Sequence, residues 1–120
     1  MKKITQKKLE KIYYLHILWL TKKNEGSCAN ISNCDLSKLD FSNKIFDCAN
    51  FEGSKLEYAN FYKSSFKSAN FTNASLFGTD INDADFKLAN VKNADLRDTN
   101  ITVSELRDCV NSNKAKINDK

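Results

Sequence analysis

The side chains able to do chemistry are few. His16 is the only histidine in 120 residues, and there are four cysteines, three glycines and no proline. Nucleophilic catalysis of the Ser/His/Asp type needs an imidazole oriented between a hydroxyl and a carboxylate. His16 falls instead within an apolar helical stretch, where a packed or hydrogen-bonded role is expected of it. Cys28, Cys34, Cys48 and Cys109 have neither Cys-x-x-Cys nor zinc-type spacing and read as reduced thiols of a cytoplasmic protein. The segment from Asp80 to Asp85 superficially resembles a calcium loop. Ala84 takes a ligand position there, Phe86 the place of the required glycine and Val91 that of the closing glutamate, so solvated corners explain it. A glycine-rich phosphate loop is also missing. The expectation is no catalytic residue, no metal and no cofactor, hence not an enzyme.

Binding is the better prospect. Lys67, Lys87 and Arg107 recur at intervals of 20, a spacing that could stack them into an anion- or nucleic-acid-binding ladder. Asp85 and Glu105 stand two residues before Lys87 and Arg107, so a charge ladder that screens itself is expected. Tyr58, Tyr62 and Phe77 are the more promising set, because aromatic clusters on a rigid surface serve as partner anchors. Both sets need an element that brings residues 20 apart into register.

That element is written in the repeat. From Ile31 to Leu106 every fifth residue is large and apolar, sixteen in one register. Two residues before most of them stands a small residue, with Asn or Asp between, as in Ala59, Asn60 and Phe61. A period of five suits neither a helix nor a flat strand. It suits a chain that turns the same corner every five residues, four sides closing a coil of 20. Read at that interval, Leu36, Leu56, Leu76 and Leu96 form one column and Ala29, Ala49, Ala69 and Ala89 another. Such coils carry Tyr58 from a corner slot, Phe77 from an outward slot and Tyr62 from the adjoining side towards one corner of a rod. The first coil departs from the rule, with Leu39 and Lys44 at small positions and Ile45 at a polar one. A buried lone lysine is costly. A bulged corner near Asn43–Ile45 is therefore expected, with Lys44 leaving through the open end of the coil.

On these residues the chain resembles the pentapeptide-repeat family, across residues 29–108. The opening Leu9, Ile12, His16, Trp19 and Leu20 is also similar to the helical start of its small bacterial or phage-type members. The resemblance implies an all-β solenoid: a right-handed quadrilateral β-helix of four 20-residue coils, capped by an N-terminal α-helix. Residues 1–28 are then an amphipathic capping helix and connector, 29–108 the β-helix, and 109–120 a polar tail expected to be disordered. The helix should run from Thr5, its N-cap, to Lys23. Leu9, Ile12, Tyr13, His16, Trp19 and Leu20 share an arc of about 120°, which should cover the first coil with Trp19 as a core anchor. Tyr14, Leu15 and Leu18 point elsewhere, towards a second neighbour.

Charge is uneven: +5 over residues 1–28, −3 over 29–108 and +2 over 109–120. The basic start and apolar Ile12–Leu20 suggest a signal peptide, but His16 breaks the run and no small-x-small site follows. No run reaches the roughly 18 apolar residues of a span. A protein partner is therefore expected, with no nucleic acid and no membrane, and a homodimer through the uncovered edge of the last coil. The leading functional reading is a non-enzymatic protein-interaction module. The alternative comes from the resemblance: some relatives mimic duplex DNA, bind DNA gyrase and confer quinolone resistance. Those are longer acidic rods with projecting loops and an apolar C-terminal dimer element, features not found here. A third reading sets the seven N-terminal lysines on nucleic acid, which salt-sensitive DNA binding would reveal.

Overall fold

The computed structural model describes residues 1–22 and 24–119 of a rod measuring 46 × 26 × 21 Å. Its elements in chain order are β1 (Lys2–Lys3), α1 (Gln6–Leu20), β2 (Cys34–Asp35), α2 (Val103–Arg107) and a 3-10 turn at Ser112–Lys114. Between α1 and α2 the chain winds as a four-sided solenoid. Parallel bridges join residues 20 apart on each side: Asn30, Asn50, Asn70 and Asn90 on the first, and Asp35, Lys55, Ser75 and Asp95 on the second. Asp40, Asn60 and Asp80 mark the third side, and Ile45, Ser65 and Asp85 the fourth. Adjacent coils are stitched by backbone bonds such as Phe51 N–H to Asn70 O, 2.8 Å, and Asn70 N–H to Ala49 O, 2.9 Å.

Each part of the five-residue motif has a physical task. The small residue closes the corner by donating to the carbonyl three residues back, as Ala49 does to Phe46 at 3.0 Å and Ala69 to Phe66 at 3.1 Å. The residue before it has positive φ at every corner from Asn33 to Asp98, between 54° and 72°, the signature of a type II turn. The Asn or Asp accepts from the amide two residues on, as Asn50 does from Glu52 and Asp85 from Lys87, both at 3.0 Å. Corner amides that coil pairing leaves free are thereby satisfied. The large residues fill the interior. Phe51 and Phe71 stack at 5.0 Å between ring centroids, and Phe66 and Phe86 at 5.5 Å. Ser54 and Ser64, at small positions, turn their hydroxyls onto the carbonyls of Ile31 and Phe61, so their burial leaves no donor unpaired.

The N-terminal edge of the first coil is covered side by side. β1 pairs with β2, and the Ile4 amide donates to Asp35 O at 3.0 Å. The Gln6 amide pairs with both backbone groups of Asp40, each bond 2.8 Å. Tyr13 Oη accepts from Ile45 N–H at 3.2 Å. His16, wholly buried, accepts from Ala29 N–H through Nδ1, which leaves Nε2–H to donate to Asp47 O; both distances are 2.9 Å. Thr5 caps α1 as expected, accepting from Lys8 N–H at 3.1 Å. The helix stops at Leu20, with Lys22 left-handed beyond it, and the expected last residue, Lys23, lies outside the described residues. The connector then runs tightly over α1: a Cβ at Gly26 would lie 2.1 Å from the backbone nitrogen of Trp19.

Three expectations are corrected. No bulge forms at Asn43–Ile45, since Asn43 makes an ordinary corner and Ile45 pairs with Ser65. Lys44 does leave through the open end of the coil, and does so without a bulge, because α1 brings Glu10 within 3.2 Å and sets the Tyr13 ring 5.6 Å from the ammonium. Trp19 is not a core anchor. It sits at the rim of the buried arc, 39% exposed, with one ring face 5.5 Å from His16. Finally, residues 109–119 are not a disordered tail. Val110 pairs with Asn90 and donates to Ala89 O at 2.8 Å, and Lys116 pairs with Asp95 and donates to Ala94 O at 2.8 Å. The spacing grows from 20 to 21 between those bridges, and the 3-10 turn takes up the extra residue. The edge through which end-to-end pairing was expected is thus occupied on these two sides by the same chain.

Candidate functional site

The rod has four flat sides, so a site on it is built from columns. On the second side the outward position after each large residue reads Ser37, Glu57, Phe77 and Arg97. The left-handed corner position reads Lys38, Tyr58, Gly78 and Asp98. Tyr58 and Phe77 meet edge to face, 5.8 Å apart at 84°, a favoured geometry for aromatic pairs. Gly78 makes this fit, for a Cβ there would lie 2.6 Å from a Tyr58 ring carbon. The next coil continues the stack, with the Arg97 guanidinium 5.4 Å from the Phe77 centroid. Asp95 holds that guanidinium through two hydrogen bonds of 2.9 and 2.8 Å, and this pairing keeps the Asp95 carboxyl below its usual range. Tyr58 is 57% exposed and Phe77 half-buried. The result is an aromatic pair and a cation in line across three coils, on backbone that cannot easily move.

The structure brings together two of the three aromatic residues expected at this corner. Tyr62 lies on the adjoining side, its ring 5.3 Å from the Lys63 ammonium. Arg97 was missed, although its place 20 residues after Phe77 marks it as the next member of the column. The basic ladder fares differently. Lys67 pairs with Asp85 at 3.7 Å, and Asp85 also takes the Lys87 amide. Arg107 leaves the column because α2 replaces the strand there, and Glu105 turns back to cap α2 at Thr102, 2.9 Å. The hollow beside Lys87, about 350 Å³, is lined by Asp83, Asp85, Glu105 and Asp108, an acidic setting. The calcium-like segment is likewise engaged in its own corners, Asp80 accepting from Asn82 N–H at 3.0 Å. Among the described residues no group of three or more His, Cys, Asp and Glu is placed to hold a metal. Burial pushes the Cys109 thiol up to about 11, helped by Asp108 and Glu105, which leaves it a poor nucleophile.

These features define a β-solenoid of five-residue turns with four sides held by coil pairing. The profile of pentapeptide repeats matches eight copies, over residues 27–61, 45–83 and 64–102. The chain belongs to the pentapeptide-repeat family, whose fold is the right-handed quadrilateral β-helix. Among solved structures it is similar to a pentapeptide repeat protein from the Arabidopsis thaliana thylakoid lumen, with 33% identity and a TM-score of 0.59. That match covers 61% of this chain and 50% of the other. Rfr23 of the cyanobacterium Cyanothece 51142 aligns at 22% identity and a TM-score of 0.60, over 78% of this chain and 59% of its own. The chain thus spans half to three-fifths of the length of these two relatives. QnrB1, a plasmid-mediated fluoroquinolone resistance protein, reaches a TM-score of only 0.27 at 14% identity, over 78% of this chain and 67% of its own. No curated protein matches the chain.

Proposed function

We propose that the chain is a non-enzymatic protein-interaction module, with Tyr58, Phe77 and Arg97 as its anchor and Tyr62 as a flanking contact. Pentapeptide-repeat proteins are interaction modules as a class. The observation carrying the finer reading is the edge-to-face pair of Tyr58 and Phe77 lying over Gly78, exposed on a side that coil pairing holds rigid. Rigid aromatic groups beside an arginine are what interface hot spots are made of, because little side-chain entropy is lost when they bind. Asp95 fixes the Arg97 fork in advance, which favours a partner offering a carbonyl or aromatic surface over one offering a bare carboxylate.

The test is capture of a partner from host lysate by the wild-type chain and by a Tyr58→Ser, Phe77→Ser variant whose β-type circular dichroism is intact. The expected result is one protein held by the wild type and weakened about thirtyfold or more by the variant. DNA gyrase or topoisomerase subunits retained equally by both would replace this reading with DNA mimicry. Full capture of any partner by the variant would remove the anchor from this corner.

A further inference from the structure

The capping helix has two faces, and the β-helix packs against one. Leu9 and His16 of α1 are wholly buried, with Ile12 and Tyr13 packed beside them. On the opposite side Lys7, Lys11, Tyr14, Leu15 and Leu18 fall within an arc of about 100°. Tyr14 is 64% exposed and Leu15 38%, and Trp19 borders them at 39%. Lys2, Lys3, Lys8 and Lys22 are exposed around the same end of the rod. Only two carboxylates, Glu10 and Glu25, occur in the first 28 residues, and Glu10 is taken by Lys44 and the Gln6 amide. Basic residues thus occupy the first half of the outer face, aromatic and aliphatic ones the second, and Lys22 closes it. Because α1 lies across the first coil, this face forms the end of the rod; the connector flanks it along the Leu15–Trp19 edge, where Ser27 N–H donates to Leu15 O at 3.0 Å, and leaves Lys7, Lys11 and Tyr14 open.

We propose that the outer face of α1 is a docking surface for an anionic lipid bilayer, on which the rod stands by its N-terminal end. The lysines supply attraction to acidic headgroups, with their methylene stems lying along the boundary. Tyr14, Leu15 and Trp19 enter the headgroup–acyl layer, where amphipathic rings are at home. Nucleic acid would reward the lysines equally but would gain little from Leu15 and Leu18. No helix among the described residues is long and apolar enough to cross a membrane, and the surface described here requires lying on one. The proposal concerns a different surface from the Tyr58–Phe77 corner and stands or falls apart from it.

The test uses the whole chain and its only tryptophan, Trp19, as the reporter. Vesicles of neutral phosphatidylcholine, and vesicles half phosphatidylglycerol, are titrated in while emission and co-flotation are followed. The expected result is a blue shift and flotation with the acidic vesicles alone, both weakened by salt. Lys7→Glu with Lys11→Glu should weaken binding by more than about tenfold. Tyr14→Ser with Leu15→Ser should suppress the blue shift while circular dichroism stays unchanged, since both side chains point outward. Flotation unaffected by either variant, or equal on neutral vesicles, overturns the proposal. So does tight binding to duplex DNA with none to vesicles, which would make the face a nucleic-acid site. A dimer abolished by Tyr14→Ser and Leu15→Ser, without lipid binding, would assign it to a second copy of the chain.

Discussion

The two ends of the β-helix face the same problem, a ring of unpaired backbone groups, and meet it differently. At the first coil the partners are largely side chains: the Gln6 amide, the Tyr13 hydroxyl and both nitrogens of His16, delivered by α1. At the last coil the partners are backbone groups, from Val110 and Lys116. A cap of side chains can be removed one residue at a time and can titrate. A cap of backbone bonds tolerates almost any side chain and yields only to a change in the chain itself. The contrast ranks the substitutions that should break each end.

The largest effect is expected at His16. His16→Ala strands Ala29 N–H and Asp47 O in a dry site and deletes the ring stacked on Phe46, 5.4 Å away at 22°. Lost bonds and cavity together should cost about 3–5 kcal/mol in urea unfolding. Hydrogen exchange should rise first in amides of residues 29–48 and little in residues 70–90, because solenoid coils support only their neighbours. Uniform acceleration would mean that the cap and all coils open as one unit.

At the other end, Lys116→Ala should change stability by less than about 0.5 kcal/mol, because the exposed side chain takes no part in the pairing. Lys116→Pro removes the donor to Ala94 O and should cost about 1–3 kcal/mol. Equal losses from the two substitutions, measured by thermal unfolding, would show that the side chain matters and that the contrast between the ends is false.

Between pH 8 and 5, above the range where the carboxylates titrate, acid should act on one end only. Burial lowers the His16 pKa below its ordinary 6.5, against the smaller opposing pull of the Asp47 carbonyl and carboxylate. Nδ1 must stay unprotonated to accept from Ala29 N–H. In the unfolded chain the imidazole takes up its proton near 6.5, whereas the folded chain resists until lower pH. The contribution of His16 is therefore complete above 6.5 and is lost as pH falls towards the folded pKa. A stability profile from pH 8 to 5 should show this decline in the wild type and not in His16→Ala. Parallel profiles would place the sensitive group elsewhere.

The same contrast decides what could be read from sequence. The coils were legible because burial demands an apolar residue at each turn, and a fixed turn length makes that demand periodic. Thr5, His16 and the Leu9 face were legible for the same reason at helical spacing. The exit of Lys44 was legible but its partner was not, because Glu10 stands 34 residues earlier, a distance no local pattern spans. Residues 109–119 were misread because ladder pairing leaves no trace in side-chain type; Asn111 breaks the apolar period while Val110 keeps the hydrogen bonds. At the candidate anchor, Tyr58 was picked out by its corner column and Phe77 by its outward one. Tyr62 stands on the adjoining side, as its place in the coil implies, and its nearest cation is the neighbouring Lys63, 5.3 Å from the ring.

The smallest effect sharpens the comparison inside the coils. The corner residue has positive φ whether or not its side chain suits it, and Leu88 is forced to 63° with its side chain 57% exposed. Tyr58 accepts the same strain at 60° while holding the Phe77 contact. Leu88 has no comparable ring partner, and its amide bonds to Asp108 O at 2.7 Å whatever the side chain. Leu88→Asn should therefore raise stability by about 0.5–1 kcal/mol, since Asn tolerates the left-handed region. Tyr58→Asn gains the same relief but loses the ring contact, so it should be neutral or worse. Urea midpoints for the two variants give the answer directly. A gain from both would mean that the Tyr58–Phe77 pair adds nothing to the fold and that its aromatic character is free to serve binding alone.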